Sequence, residues 1–320
     1  MRQRKGSFRF SWLAGAALVA LSIGAAAAVA GDEYKEKFDK TIDLALDGKV
    51  FLSNVSGDIK VFVWDKVQVK IDAMKYARNE ENAKDVTIEV SGDGRIVRIE
   101  TKYPKRGFWG RESGNASVDF TLYIPAKASI EATSVSGDVA LEAIGGTVRA
   151  KSVSGDVSLA KAGAGAECAS VSGDVEVSDV KGGLDAGSVS GSVVASRIEG
   201  SVEATSVSGD VELRDVLGAE TVKAKTVSGD VLFEGLSVPK GRYHLESHSG
   251  DVTVRLPAEA GFELEAATFS GDIDSDFAIK VSGKMSPREL HGTINQGGPL
   301  VIVKSFSGSV ILRASGRAAK

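Results

Sequence analysis

The chain of 320 residues carries 39 Lys and Arg against 43 Asp and Glu, and its net charge of −4 argues against nucleic acid as a general partner. One cysteine, Cys168, excludes an intramolecular disulfide. The three histidines, His244, His248 and His291, do not form a metal motif.

Residues 1–30 open with Arg2, Arg4, Lys5 and Arg9, continue through an apolar, Ala-rich run from Trp12, and end in Ala28-Val29-Ala30. A positive head, an apolar middle and a small-residue exit describe a secretory signal peptide. The competing reading is an uncleaved membrane anchor, because about 19 apolar residues just span a bilayer. Cleavage removes four positive charges and leaves a mature chain more negative than the −4 of the full sequence. Export to the periplasm or cell surface is therefore expected, membrane-anchored if the segment stays on.

Residues 31–125 read as a small antiparallel β lead-in. Val61, Val63, Val67, Val69 and Ile71 alternate around Trp64-Asp65 as strand, turn and strand would. Thr87–Val90 and Ile96–Ile99 flank Gly92-Asp93-Gly94, a hairpin signal. Polar Ala77–Asp85 fits one helical turn or a loop, and Val118–Ile124 alternates again before Pro125. The loop that holds Lys105, Arg106, Phe108, Trp109 and Arg111 interleaves cations with aromatics. It is a candidate interaction site for anionic lipid or sugar, or a strand connection whose rings tuck back onto the lead-in.

From 126 to 279 a fixed period takes over. Ser-Val-Ser-Gly-(Asp/Ser)-Val recurs with glycines at Gly137, Gly155, Gly173, Gly191 and Gly209, then more loosely at Gly229, Gly250 and Gly271, and a last copy is centred on Gly308. Counting from each Gly, apolar columns stand at −7 (Ile130, Val148, Ala166), +2 (Val139, Val157, Val175), +4 (Leu141, Leu159, Val177) and +7 (Ile144, Ala162, Val180). Eighteen residues per repeat hold two or three short strands and tight corners, but not a helix as well. The fold class is therefore all-β: a single-stranded β-solenoid, or β-helix, with one coil per repeat and like residues about 4.8 Å apart. The paired glycines of the calcium-binding nonapeptide are missing, and the column spacing does not fit a hexapeptide left-handed helix. Cys168 falls in a column of alanines, Ala150 and Ala186 among them, and reads as a small buried hydrophobe. Residues 280–299 read as a loop, 300–313 as closing strands over the open end, and 314–320 as a disordered tail.

Glu36-Lys37-Phe38, Asn54-Val55-Ser56-Gly57-Asp58-Ile59 leading to Trp64-Asp65, Tyr123-Ile124-Pro125, the Val-Ser-Gly-Asp-Val ladder and Ser-Phe-Ser-Gly-Ser-Val together resemble family 4097 among the domains of unknown function. Its members carry β-strand repeats and the working label of adhesin. The resemblance implies an exported β-solenoid related to toastrack-type modules of bacterial envelope-stress signalling, and supplies no catalytic residues.

The Asp column, Asp138, Asp156, Asp174, Asp210, Asp230, Asp251 and Asp272, is interrupted once by Ser192. Stacked carboxylates repel by roughly 1 kcal/mol per neighbouring pair in water, so something must offset them. Either each Asp accepts backbone N–H bonds at an exposed corner, or a divalent cation such as Ca²⁺ binds along the ladder. No cofactor is otherwise expected, and no Ser-His-Asp, zinc or phosphate-loop pattern is present. The expected function is that of a non-enzymatic, adhesin-like binding or scaffold protein of the cell envelope, whose partner is an envelope protein, a glycan or a membrane surface. A sensor domain in envelope-stress signalling is the alternative, and a polysaccharide lyase or hydrolase on a β-helix a more distant one. The sequence leaves the oligomeric state and the solenoid's handedness open.

Overall fold

The computed structural model describes residues 34–103, 116–235, 240–281 and 286–315. The expected signal segment 1–30, the loop with Lys105, Arg106, Phe108, Trp109 and Arg111, and the tail from 316 lie outside the described residues.

Each central coil supplies one strand to each of two parallel sheets. Val139–Ile144, Val157–Ala162, Val175–Lys181, Val193–Glu199 and Val211–Leu217 pair in succession in the first sheet. Val148–Lys151, Ala166–Ala169, Leu184–Gly187 and Val202–Thr205 do so in the second. Residues 18 apart face each other, Val157 between Val139 and Val175, and Cys168 between Ala150 and Ala186. The apolar columns turn inward and are buried between the sheets, so each coil's backbone is hydrogen-bonded and each apolar stripe covered only by its neighbours.

A strand alternates sides with period 2, yet the buried columns +4 and +7 are three apart. The backbone resolves the parity at +6. Ala143, Lys161, Asp179, Arg197 and Asp215 all adopt left-handed backbone with φ from 51° to 68°. Ala160 faces Ser178 and Ala162 faces Val180, so the residue between them is skipped in the ladder like a bulge. This left-handed step returns +7 to the core side at a conformational cost that non-glycine residues bear in five successive coils.

The repeat glycines stand where coils approach most closely. A Cβ placed on Gly173 would lie 2.2 Å from the Gly155 carbonyl oxygen, and one on Gly191 2.2 Å from that of Gly173. Only glycine leaves room for the backbone beneath it.

The lead-in differs from a purely antiparallel unit. The first half of Tyr34–Ser53 runs antiparallel to Gln68–Ala77, but its second half lies parallel between Gly94–Lys102 and Ser129–Thr133. Ile59–Trp64 and Gln68–Ala77 do not form a hairpin, because Ala116–Pro125 inserts between them, parallel to the first and antiparallel to the second. The cause is the repeat chemistry of Asn54–Ile59: its Gly57 stacks beneath Gly137, and Ile59 pairs with Val139. Residues 44–64 thus already belong to the solenoid. Thr87–Gly92 and Gly94–Lys102 form the expected hairpin. Glu80–Asp85 is a short helix whose N-cap Asn79 accepts from the Asn82 N–H at 2.9 Å.

The C-terminal end departs most from expectation. Leu300–Ser307 does not close the stack but lies parallel between Arg242–Ser249 and Phe262–Ser270. Val310–Ser315 likewise lies between Val252–Pro257 and Ile273–Ser275, so Ala314 and Ser315 are strand rather than tail. The terminal coil is therefore 262–275. The 280–299 stretch, read as a loop for its Gly and Pro content, contains Glu289–Ile294, which runs antiparallel to Phe262–Ser270 and to Ile279–Val281 and covers the end of the second sheet.

Candidate functional site

The repeated corner Ser/Thr-Val-Ser-Gly-Asp builds three columns along the stack. The buried first hydroxyl donates to the glycine carbonyl of the coil before it: Ser170 to Gly155, Ser188 to Gly173 and Ser206 to Gly191, each at 2.8 Å. From Asp138 to Asp251 each Asp uses Oδ1 to accept the backbone N–H of the corresponding residue one coil on. Asp138 accepts from Asp156 at 2.9 Å, Asp156 from Asp174 at 2.8 Å, and Asp174 from Ser192 at 2.8 Å. Ser192 keeps the chain intact with its hydroxyl, accepting from Asp210 at 3.2 Å, and Asp210, Asp230 and Asp251 continue it. The sequence reading missed the start of this ladder, Asp58 and Asp119, which bond the same way; Asp58 is visible once Gly57 is taken as a repeat, whereas Asp119 has no Gly before it. The N–H dipoles, aimed at carboxylates whose other oxygen faces water, offset the repulsion along the column. Among the described residues no group of three or more His, Cys, Asp or Glu converges as a metal-ligand set.

Beside the ladder runs an exposed apolar ridge. Val55, Val135, Val153, Val207 and Val227 project outward, with Val171 and Val189 half-buried between them. The ridge ends in rings: His248 stacks on Phe306 at 4.7 Å, and Phe306 on Phe269 at 4.7 Å with their planes 2° apart. His248 is thus a member of the ridge rather than of any metal set. The signal for the ridge was present in the sequence as the apolar residue between two serines, since a residue flanked by two inward or corner positions faces out.

On the outer face of the second sheet a charged column reads Arg149, Glu167, Asp185, Glu203, Lys223. Glu167 is held by Arg149 and Lys151, both at 2.7 Å, and Glu203 by Lys223. Asp185 lies between the two glutamates with its Oδ1 buried and, among the described residues, without a hydrogen-bond partner. Burial, and then the charges of Glu203 and Glu167, push its carboxyl from 3.8 up to about 6. The folded chain thus holds this proton more tightly than the unfolded chain. The stability it confers is complete below the ordinary value and is lost as pH rises towards 6. Asp185→Asn is therefore expected to stabilise the chain at pH 7–8 by about 1 kcal/mol, solvent screening at a half-exposed site having been allowed for, and to change nothing near pH 4. Thermal melts of both chains across that range check it, and an equal shift at both ends would count against it.

Cys168 is fully buried and its thiol is pushed up to about 12, chiefly by burial, so it has little thiolate to react. Among the described residues no helix is long and apolar enough to cross a membrane.

A family profile described as Toastrack DUF4097 matches residues 58–313. No curated protein matches the chain. Among solved structures, it is similar to a candidate adhesin from Bacteroides fragilis NCTC 9343 at 13% identity, over 87% of this chain and 97% of that one, with a TM-score of 0.36. A candidate lipid-binding protein from Parabacteroides distasonis ATCC 8503 is similar at 12% identity, over 89% and 97%, with a TM-score of 0.38. A candidate cell adhesion protein from Clostridium sporogenes ATCC 15579 is similar at 12% identity, over 88% and 100%, with a TM-score of 0.23.

Proposed function

The chain belongs to the Toastrack DUF4097 family, and on that premise we propose that it is an exported, non-enzymatic binding or scaffold protein of the bacterial cell envelope, adhesin-like in action. The observation that carries this reading is the exposed apolar ridge beside the Asp ladder. A continuous outward column of Val, His and Phe is unusual on a soluble surface and suits contact with a partner. The short coils support it too: catalysis of polysaccharide cleavage needs an acid and a base converging in a groove lined by long loops, and coils of 18 residues leave little room for such loops. The positive head and apolar run of residues 1–30 support export.

The test is retention of the purified chain on peptidoglycan sacculi and on vesicles of phosphatidylethanolamine and phosphatidylglycerol. The Val153→Lys/Val207→Lys variant changes two exposed ridge positions and leaves the core untouched. Retention on one of these surfaces that falls at least tenfold in the variant is the expected result. Retention on neither, retention indifferent to the ridge, or release of new reducing ends from the sacculi would overturn it. Mass measurement of the chain from a periplasmic fraction, expected to begin at Gly31, checks export.

A further inference from the structure

The corner ladder is directional, and its last rung is open. In every preceding layer the glycine carbonyl accepts a Ser or Thr hydroxyl and the Asp or Ser side chain accepts a backbone N–H, both from the following coil. The closing examples are Ser305 to Gly250 at 2.9 Å, Thr268 to Gly308 at 2.7 Å, and the Ser309 N–H to Asp251 at 2.7 Å. Towards this end of the stack the glycine N–H donates to the following coil as well, Gly229 to Ser249 and Gly250 to Ser307 at 3.0 Å and Gly308 to Ser270 at 3.1 Å. In the terminal coil, nothing among the described residues bonds the Gly271 N–H, the Gly271 carbonyl or the Asp272 carboxylate. The ridge ends there too: Phe269 is stacked on one side only and is 63% exposed. The second sheet is covered at this end by the antiparallel strands 279–281 and 289–294, whereas the first stops at the three-residue strand Ile273–Ser275.

We propose that the corner Phe269–Ser275 is a strand-accepting edge, which captures an extended segment of a partner protein in parallel register with the pattern (aromatic or Val)-Ser-Gly, entering just beyond Thr268, whose N–H is already taken by the Arg288 carbonyl at 2.9 Å. Each element of the pattern has its reason in the layers beneath. The first side chain would extend the ring stack from Phe269, the Ser carbonyl would accept from the Gly271 N–H, and the residue after Gly would give its N–H to Asp272. The glycine is obligatory, because a Cβ at that position meets the glycine carbonyl below at 2.1–2.3 Å from Gly137 through Gly308. Main-chain bonds would give affinity, and the corner would give selectivity. A second copy of this chain fits the edge poorly: its own terminal edge carries Asp272, Asp274 and Asp276, of which the last two already share Arg313, so two such edges would meet with like charge. This site is separate from the Val153 and Val207 surface, so either reading can fail alone.

The test uses the purified chain and a fluorescent peptide, Phe-Ser-Gly-Ser-Val-Ile-Leu-Arg, which copies residues 306–313. Saturable binding is expected, with at least tenfold loss when the peptide's glycine becomes alanine, a change that leaves the protein untouched. Asp272→Ala and Phe269→Ala chains are expected to lose binding while melting like the parent, and bound peptide should slow hydrogen exchange at the Gly271 amide. Equal binding of the alanine peptide, or no saturable binding up to millimolar concentration, overturns the proposal. Sedimentation showing self-association that Asp272→Ala abolishes also overturns it, in favour of a second copy as occupant.

Discussion

Gly173→Ala is expected to destabilise the chain by about 3 kcal/mol, at the upper end of the range for overpacking. The added methyl carbon would stand 2.2 Å from the Gly155 carbonyl oxygen and 2.5 Å from its carbon. Neither is the far end of a flexible side chain, so relief requires the two coils to separate. Separation breaks the bond from the Ser170 hydroxyl to the Gly155 carbonyl and loosens the Asp156 bond to the Asp174 N–H. At about 2–4 °C per kcal/mol for a chain somewhat smaller than this one, the melting temperature should fall by roughly 10 °C. Gly94→Ala is the control: nothing stands within 4 Å of its added carbon, and only its φ of 82° is strained. It should cost about 1–2 kcal/mol. Differential scanning calorimetry on the two variants decides the matter, and a Gly173→Ala cost no larger than that of Gly94→Ala would show that the coils relax around the added methyl.

Phe233→Ala is expected to cost about 3–5 kcal/mol, the range for removing a buried aromatic side chain. Phe233 and Tyr243 are buried at 1% and 0% exposure, with ring centroids 5.6 Å apart. They fill the core where the central coils meet the rearranged C-terminal ones. The neighbouring +4 positions are smaller, Leu213 and Val254, so no adjacent side chain can expand into the gap. Urea unfolding should show a lower midpoint. Because coils interact only with neighbours, it should also show a smaller m-value as the C-terminal coils come apart separately. An unchanged m-value with the same loss of midpoint would mean that the whole stack unfolds as one.

The one-coil repeat was readable because its period is enforced residue by residue: each buried Val, each Gly and each Asp answers to an identical neighbour 18 positions away. What that logic specifies is which residues stack, not the order in which distant coils stack. Residues 305–310 match the corner pattern as well as any copy, and a long connection lets that coil slot in at either side of 262–275 at equal local cost. Its interior position was therefore hidden. The strand at Glu289–Ile294 was hidden for another reason, because Gly292 and the flanking Gly and Pro residues mask a short strand that forms only between Phe262–Ser270 and Ile279–Val281. In the candidate site, the Asp column was plain but its bonding was not. An Asp before Val suggests a local turn, whereas the N–H it receives comes from the next coil. Asp185 was invisible as a special residue, since a lone acid between two others 18 residues away looks like ordinary solvated surface until the sheet is assembled.

The left-handed residue at +6 has a consequence for how such a chain changes length. Because every coil contains its own parity correction, an 18-residue block can be excised or duplicated anywhere between Val139 and Leu217 without turning a single side chain to the wrong side. A one-residue deletion inside a strand would instead turn the residues that follow it to the wrong side up to the next corner. The molecule is thus a ruler graduated in steps of about 4.8 Å, and the separation of its two ends can be tuned in copy number while the surface between them stays the same.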